Sequence, residues 1–314
     1  MGTIRRPRRG SLQFWPRKRA KKFLPRVNWS SIDSKKILKG FIGYKAGMAS
    51  AYVKDETPNS MTKGKEIVVP VTILECPPMK ILSVRFYKNG QVKTEIFSEH
   101  IDKDLKSRIK LPKKKPGKIE DVKNYDDISI ICYSQVKKTG LKRTPDLSEL
   151  GLSGSLEEKL NFVKENIGKE ITVSETFNKK QIVDIRGLTK GKGFSGAVAR
   201  FGITFRSHKA EKGVRRPGSL GPWHPARVTF RTPMAGQLGM FTRVSYNNSV
   251  IDLGKADGKF KNIKNYGDII TDYLLVRGSV QGPAKRQLLI TYPLRGTKKQ
   301  IKKKQKVKIG YRRL

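Results

Sequence analysis

The distribution of charge along this chain is the feature that most restricts how it can fold. Residues 1–26 contain ten Lys and Arg and no acidic residue, and Pro7, Pro16 and Pro25 interrupt any helix there. A segment of this composition cannot bury an apolar core by itself. We therefore expect residues 1–35 to form a basic arm that is disordered until it meets an anionic partner.

The C-terminal tail, residues 293–314, is also basic and contains no acidic residue. The whole chain has 68 Lys and Arg against 26 Asp and Glu, a formal net charge of +42 over 314 residues. Such an excess of positive charge repels itself unless a polyanion neutralises it. Nucleic acid is the first candidate partner, because cations that neutralise phosphates release counterions. An anionic membrane surface is the second candidate.

A third basic region, residues 204–245, is rich in Gly and Pro and contains a single acidic residue, Glu211. A loop of this length inside a compact domain is uncommon and is usually functional. We expect a long basic internal loop that passes between anionic groups. Within it, Trp223 lies between Pro222 and His224. Stacking of this ring on an unpaired base is favoured over burial in a core, and both interpretations stay open.

The stretch GLTKGKGFSGAVARF (187–201) has the spacing G-x-G-x-x-G at Gly191, Gly193 and Gly196. A dinucleotide-binding turn would continue directly into a helix. The residues that follow include strand-type residues and another glycine, which disfavours a helix without excluding it. We interpret the segment as a turn between strands whose glycines let backbone N–H groups approach phosphates. The alternative is a tight corner of a barrel whose lysines have no role in binding.

Between the arms the sequence contains many short runs rich in Val, Ile, Phe, Tyr and Thr, separated by Gly, Pro or Asn, which predict strands. KILSVRFY and QVKTEIF flank Asn89 and Gly90, the strongest short signal for a β-hairpin. Many short strands favour a closed barrel, because closure removes exposed edges. We expect a mainly β fold whose barrel is formed by residues 36–97, 171–203 and 246–292.

Residues 98–170 are predicted to be a helix-containing insertion. Fifteen of the 26 acidic residues lie within residues 95–175, so the charge of this region is nearly balanced and we expect it to face away from a polyanion. In the stretch SLEEKLNFVKENIG, Ser155 is the predicted N-cap and Glu158 completes a capping box. Gly168 suits the residue that ends the helix.

Other classes of site find little support. Cys76 and Cys132 are well separated and fit neither a disulfide framework nor, with three histidines, a zinc site. The sequence contains no G-x-S-x-G elbow, no nucleotide-binding P-loop, and no apolar run of membrane-spanning length. We expect a soluble intracellular protein that is not an enzyme and has no metal, cofactor, membrane or small-molecule substrate as partner.

Several motifs resemble one known family, that of large-subunit ribosomal protein three in its archaeal and eukaryotic form. PRRGSLQFWPRKRA (7–20) resembles the family's N-terminal arm, GYKAGM (43–48) its first barrel turn, and GPWHPARV the tip of its long internal loop. FNKKQIVDIRGLTKGKGFSGAVARFG (177–202) is similar to the family signature, and VRGSVQGPAKR (276–286) to its last barrel segment. The short C-terminal tail indicates the archaeal type.

This resemblance implies a six-stranded β-barrel of the type shared with translation factors, with the helix-containing domain inserted into it. It implies a structural role in the large ribosomal subunit, in the cytoplasm, with large-subunit ribosomal RNA (rRNA) and neighbouring ribosomal proteins as partners. It also implies a contribution to early assembly, and an internal loop that reaches toward the peptidyl transferase centre with Trp223 near its end.

The basic segments and the resemblance together predict a set of RNA-binding residues. They are Arg5, Arg6, Arg8, Arg9, Arg17, Lys18, Arg19, Lys21, Lys22, Lys190, Lys192, Arg200, Arg206, His208, Lys209, Lys212, Arg215, Arg216, Trp223, His224, Arg227, Arg231, Arg243, Lys285 and Arg286. Two other functions stay open from the sequence. An RNA-modifying or nucleotide-dependent enzyme would need acid–base groups beside the glycine-rich turn, and a DNA-compacting protein would bind duplex DNA as well as RNA.

Overall fold

The fold is mainly β, as the sequence predicts. A computed structural model describes residues 10–99, 101–112 and 117–296 in full and the backbone of residues 305–313. Its strands are β1 Gly40–Asp55, β2 Glu66–Cys76, β3 Met79–Lys88, β4 Gln91–Phe97, β5 Asp127–Ser134, β6 Leu147–Gly151, β7 Ile182–Leu188, β8 Phe194–Ser195, β9 Gly236–Gln237, β10 Thr242–Lys255, β11 Asp272–Arg277, β12 Gln287–Thr291 and β13 Gln305–Arg313. Its α-helices are α1 Leu156–Asn166, α2 Val173–Thr176 and α3 Ala197–Phe201.

The larger sheet has seven strands in the order β12-β7-β10-β11-β2-β1-β13. Strand β12 pairs with β7 at one end of this order and also with β1. The long strand β1 makes both pairings possible, because Gly40–Tyr44 pair with β12 while Ala49–Asp55 pair with β13. A shift of register between Lys45 and Gly47 interrupts its pairing with β2. Such a bulge bends a strand.

The smaller sheet has four strands in the order β4-β3-β5-β6. The predicted hairpin is confirmed: Lys88 pairs with Gln91, and Asn89 and Gly90 have φ of 50° and 73°. Positive φ at both central residues is the requirement of a type I′ turn. Val84 pairs with Ile130 of β5, so the hairpin belongs to this smaller sheet. The two strands of the hairpin are therefore not part of the seven-stranded sheet.

Helix α1 begins and ends as predicted. The Ser155 hydroxyl accepts a hydrogen bond from the Glu158 N–H (3.3 Å), and the Glu158 carboxylate accepts one from the Ser155 N–H (3.1 Å). Gly168 follows the C-cap with φ of 80°. Val163 is fully buried and Leu160 and Ile167 pack against the core, whereas Leu156 in the first turn is exposed.

One apolar cluster joins the two sheets. It includes Phe41 of β1, Leu74 of β2, Val84 of β3 and Ile130 of β5, all with no exposed surface. Strands β7 and β12 are almost continuously buried, which is why their apolar residues follow one another instead of alternating. The two cysteines, which belong to the same cluster, are buried and free as expected, and burial raises the pKa of both thiols.

Contacts divide the chain into two compact units. The first, which we call the basic unit, contains the chain up to Phe23, described from residue 10, and residues 188–243. The second, which we call the core unit, contains residues 24–187 and the chain from residue 244 onward, and it holds both sheets apart from the first residues of β10 and the last of β7. The predicted site falls almost entirely in the basic unit.

Candidate nucleic-acid interface

The basic unit combines many cations with almost no acid. Its described residues include 16 Lys and Arg and one acidic residue, Glu211. Short pieces of secondary structure connect these cations: the two-residue pair β8–β9, the five-residue helix α3, and a single 3-10 turn at Leu12–Phe14. Since the unit has so little regular secondary structure, interactions of its side chains must supply much of its stability.

Most of the predicted RNA-binding residues lie on the surface. Those that are exposed in the basic unit are Lys18, Arg19, Lys21, Lys22, Lys190, Lys192, Arg206, His208, Lys209, Lys212, Arg215, Arg216, Trp223, His224, Arg227 and Arg231. Arg17, Arg200 and Arg243 are half-buried there. Lys285 and Arg286 lie in the core unit instead, and Arg5, Arg6, Arg8 and Arg9 lie outside the described residues.

Arg200 is bound to the protein's own backbone. Its Nε donates to the Gln237 carbonyl oxygen and its Nη1 to the Met234 carbonyl oxygen, each at 3.0 Å. Its own carbonyl oxygen accepts a hydrogen bond from Arg17 Nη1 (2.9 Å). A guanidinium presents several donors in a fixed plane, which suits two carbonyls at once. Arg200 therefore positions the segment around β9 and is less available to phosphate than the sequence suggests.

Three arginines alternate with three phenylalanine rings in the basic unit. The Arg17 guanidinium lies 4.7 Å from the ring centre of Phe201 and 5.5 Å from that of Phe241. Arg200 approaches Phe201 at 5.1 Å. Arg243 approaches Phe241 at 5.4 Å and Phe14 at 4.1 Å. Cation–π contacts of this kind stabilise by about 0.5–2 kcal/mol each.

The N-terminal segment is part of this arrangement. The Trp15 ring centre lies 6.0 Å from Phe201 and 5.6 Å from Phe230, and the Ala20 N–H donates to the Met240 carbonyl oxygen (2.9 Å). Residues 10–23 therefore pack against residues 188–243, which differs from the disordered arm that the sequence predicts. The reason is that the apolar partners of the arm come from a segment about 180 residues away, which the arm's own composition cannot reveal.

Burial affects the charge of these arginines. Desolvation lowers the pKa of Arg200 and of Arg243 below the ordinary value of an arginine, and both remain cations at neutral pH. Three guanidinium groups in one small unit with one carboxylate repel each other. An anion brought to this unit would relieve that repulsion.

The G-x-G-x-x-G segment leads directly into helix α3, Ala197–Phe201, which corrects the expectation that it turns between two strands. Residues 189–195 pair with residues 236–241: the Lys192 N–H donates to the Leu238 carbonyl oxygen (2.9 Å), and the Leu238 N–H donates to Gly193 (2.9 Å). We call this pair of segments the glycine ribbon. A Cβ on Gly239 would lie 1.9 Å from the Lys190 carbonyl oxygen. The Lys192 N–H is therefore used within the protein, while the side chains of Lys190 and Lys192 stay exposed.

The internal loop folds back on itself near its start. The Arg206 N–H donates to the Val214 carbonyl oxygen (3.0 Å), and Arg206 Nη2 donates to Pro217 (2.8 Å). Every residue from 218 to 231 is exposed. Trp223 is 87% exposed in a turn closed by the Ala226 N–H and the Trp223 carbonyl oxygen (2.7 Å), so it is not a core residue of this chain.

Comparison with known proteins identifies the family. The family model described as ribosomal protein L3 matches residues 1–312. The chain belongs to the ribosomal protein L3 family. The large ribosomal subunit protein uL3 of Methanocaldococcus jannaschii is 39% identical over 96% of this chain and 95% of its own length. That of Archaeoglobus fulgidus is 41% identical over 93% of each chain, and that of Methanothrix thermoacetophila 39% over 91% and 90%.

Membership in the ribosomal protein L3 family tests several predictions made from the sequence. Proteins of this family are structural components of the ribosome and not enzymes, so the enzymatic alternative is excluded. The large ribosomal subunit to which they belong is cytoplasmic. The relatives named above are all archaeal, which confirms the type that the short tail indicates.

The described residues contain neither a cluster of metal-binding side chains nor a membrane-spanning helix. In residues 10–99, 101–112 and 117–296 no group of three or more His, Cys, Asp or Glu could hold a metal ion. No helix in the described part of this L3 family chain is long and apolar enough to cross a membrane.

One class of surface residue was missed by the sequence reasoning. Every exposed Phe or Trp that the structure describes lies in the basic unit of this L3 family chain. These residues are Phe14, Phe23, Phe194, Phe205, Trp223 and Phe230. Only Trp223 was predicted, because its Pro and Gly neighbours indicated a loop. An aromatic residue between glycines, as at Phe194, is the signal that could have found a second one.

Proposed function

We propose that this chain is a structural constituent of the large ribosomal subunit that binds large-subunit rRNA through its basic unit. The observation that supports the proposal most directly is the composition of that unit, in which 16 Lys and Arg and six exposed aromatic rings accompany one acidic residue. Cations bind the phosphate backbone, and exposed aromatic rings stack on unpaired bases. No other class of partner fits both features as well.

The mechanism that we propose combines neutralisation of phosphates with insertion between RNA helices. Exposed arginines such as Arg215 and Arg227 bridge phosphate oxygens with two hydrogen bonds, and exposed lysines act as point charges. Ordering the internal loop costs about 1–2 kcal/mol per residue in backbone entropy. A high density of phosphate contacts is needed to offset that cost, which explains why the cations are so closely spaced along the loop.

The finer architecture is also a proposal. The pairings β12-β7-β10-β11-β2-β1, together with the pairing of β12 with β1, involve six strands and return to their starting point. We infer that these six strands are the barrel that the family resemblance implies. Residues 98–170 form the insertion that faces away from RNA and, with the barrel, contacts neighbouring ribosomal proteins. Residues 1–35 and 293–314 are the basic arm and tail, and residues 204–245 the RNA-contacting loop.

The family resemblance adds two further parts to the proposal. The internal loop reaches toward the peptidyl transferase centre, with Trp223 near its tip, and binding of the chain supports an early step of subunit assembly. The turn around Trp223 supports the first part, because it exposes a large ring at the end of a basic loop.

Sedimentation tests the proposed function. Extracts of cells that express the tagged chain are separated on a sucrose gradient in high salt, and we expect the chain to travel with the large subunit. RNase treatment of the extract should release it. A chain that stays at the top of the gradient in low as well as high salt would contradict the proposal.

A further inference from the structure

Phe194 presents an uncovered aromatic ring in the middle of the basic unit. Its side chain is 82% exposed, and of the exposed Phe and Trp residues only Trp223 is more exposed, at 87%. Scattered exposed apolar residues are normal on protein surfaces. Phe194 is unusual because no other described ring or cation lies against it and because two exposed lysines precede it in the chain.

Three other exposed rings of the basic unit have a cation against them. Arg243 lies 4.1 Å from the ring centre of Phe14, Arg215 lies 4.9 Å from that of Phe205, and Arg231 lies 5.7 Å from that of Phe230. In the described part of the chain, neither Phe194 nor Trp223 has a ring or a cation in such a position. Most of the Phe194 side chain is thus open to a ligand.

The backbone that carries Phe194 is fixed. Phe194 pairs with Gln237 in β8–β9, and Arg200 holds the Gln237 carbonyl oxygen at 3.0 Å. On either side, the Ser195 hydroxyl donates to the Lys192 carbonyl oxygen (3.2 Å) and Gly193 has φ of 60°. A ring on a fixed backbone loses little conformational entropy when a ligand covers it.

The charges beside the ring indicate which ligand would cover it. Lys190 and Lys192 precede Phe194 in the same ribbon, and both side chains are exposed. No acidic residue lies between Asp184 and Glu211. A planar ring next to two cations matches a nucleotide with an unpaired base, since the base offers a π face and the flanking phosphates offer negative charge.

We propose that Phe194 is a second base-stacking residue, in addition to Trp223, and that Lys190 and Lys192 bind the phosphates next to the stacked base. This inference rests on the proposed function and adds to it the class of ligand taken by the glycine ribbon, an unpaired nucleotide. Because every base has a π face, the site should accept all four bases.

The test uses the purified full-length chain and three probes that differ in what they offer. A 12-nucleotide oligoadenylate offers unpaired bases and charge, a 12-base-pair RNA duplex offers charge with paired bases, and heparin offers charge without bases. The variants are F194L, F194W and K192E. The matched control is M61A, because Met61 is 98% exposed in the core unit.

We expect F194L to bind oligoadenylate about 5- to 150-fold more weakly than the unchanged chain, the range that corresponds to the loss of one base–ring stack. Its affinities for the duplex and for heparin, and the salt dependence of each, should not change. F194W should keep the affinity for oligoadenylate. K192E should weaken binding to all three probes and lower the slope of log K against log salt by about 1. M61A should bind like the unchanged chain.

Different outcomes separate the two proposals. If the unchanged chain binds oligoadenylate and F194L binds it equally well, the stacking inference is wrong while RNA binding stands. If the unchanged chain binds none of the RNA probes, the proposed function itself is wrong. Equal losses by F194L on all three probes would also overturn the stacking inference. Circular dichroism confirms that each variant is folded.

Discussion

Arg200 connects two parts of the basic unit through its guanidinium. Nε and Nη1 donate to the carbonyl oxygens of Gln237 and Met234, and Arg17 donates to the carbonyl oxygen of Arg200 itself. Hydrogen bonds that involve a charged group each contribute about 1.5–3 kcal/mol. We expect R200A to lower the free energy of opening of the glycine ribbon by about that amount, which hydrogen exchange of the Lys192 and Leu238 amides measures.

Two further variants distinguish this structural role from a contact with phosphate. In R200K the ribbon amides should exchange nearly as fast as in R200A, because an ammonium group cannot donate to two carbonyls in the same plane. In K190A the ribbon amides should exchange as they do in the unchanged chain, since the Lys190 side chain is exposed. Unchanged ribbon exchange in R200A would show that the guanidinium does not hold this segment.

Trp223 should be important for function and unimportant for stability. Because 87% of its surface is already exposed, W223A removes little buried area, and the free energy of unfolding should change by less than about 0.5 kcal/mol. Thermal unfolding of the purified chain measures this. Large subunits assembled with W223A should show altered peptide-bond formation. A clear loss of thermal stability would contradict the exposed position of the ring.

At the scale of elements, Gly239 makes the ribbon possible. Its φ is 78°, and a Cβ there would meet the Lys190 carbonyl oxygen at 1.9 Å. Gly193 also has positive φ, 60°, but a Cβ there would meet nothing within 4 Å. We therefore expect G239A to disrupt the pairing of the two segments of the ribbon. G193A should lower the stability of the ribbon by only about 1 kcal/mol through backbone strain. Hydrogen exchange of the Lys192 amide compares the two, and equal effects would show that the close approach does not matter.

Local signals explain which elements the sequence predicts correctly. The hairpin at Asn89 and Gly90 and the capping box of Ser155 and Glu158 are determined by residues that are neighbours in the chain. The sheet to which the hairpin belongs is decided by the pairing of Val84 with Ile130, 46 positions away in the printed sequence, and no local pattern specifies that partner. The sequence therefore predicts elements better than their assembly.

The same distinction applies to the candidate site. The charges in the sequence predict the basic unit, because electrostatic attraction depends on how many cations are present and little on their exact contacts. The charges alone do not distinguish Arg200, whose guanidinium binds backbone carbonyls, from Lys192, whose side chain is exposed, since both are simply cations in the sequence. Phe194 was missed because whether a ring is covered depends on which distant side chain reaches it.

At the scale of the whole molecule, the two units differ in what stabilises them. The core unit has an extended apolar cluster, whereas the basic unit relies on arginine–ring contacts, carbonyl hydrogen bonds and short strand pairs. Stability that comes from apolar burial depends weakly on the ions in solution. The stability of a unit with 16 cations and one carboxylate depends strongly on them. The stability of the two units should therefore depend differently on the anions around them.

Heparin makes that difference measurable, because it carries negative charge without bases. A ligand that binds only the folded basic unit stabilises it by about 2.7 kcal/mol at a hundred times its dissociation constant. Under that condition, exchange at the ribbon amides of Lys192 and Leu238 should slow by about 100-fold. Exchange at the pairs between β3 and β5 in the core unit should not change. If heparin slows both sets equally, or neither, the stability of the basic unit does not depend on the neutralisation of its cations.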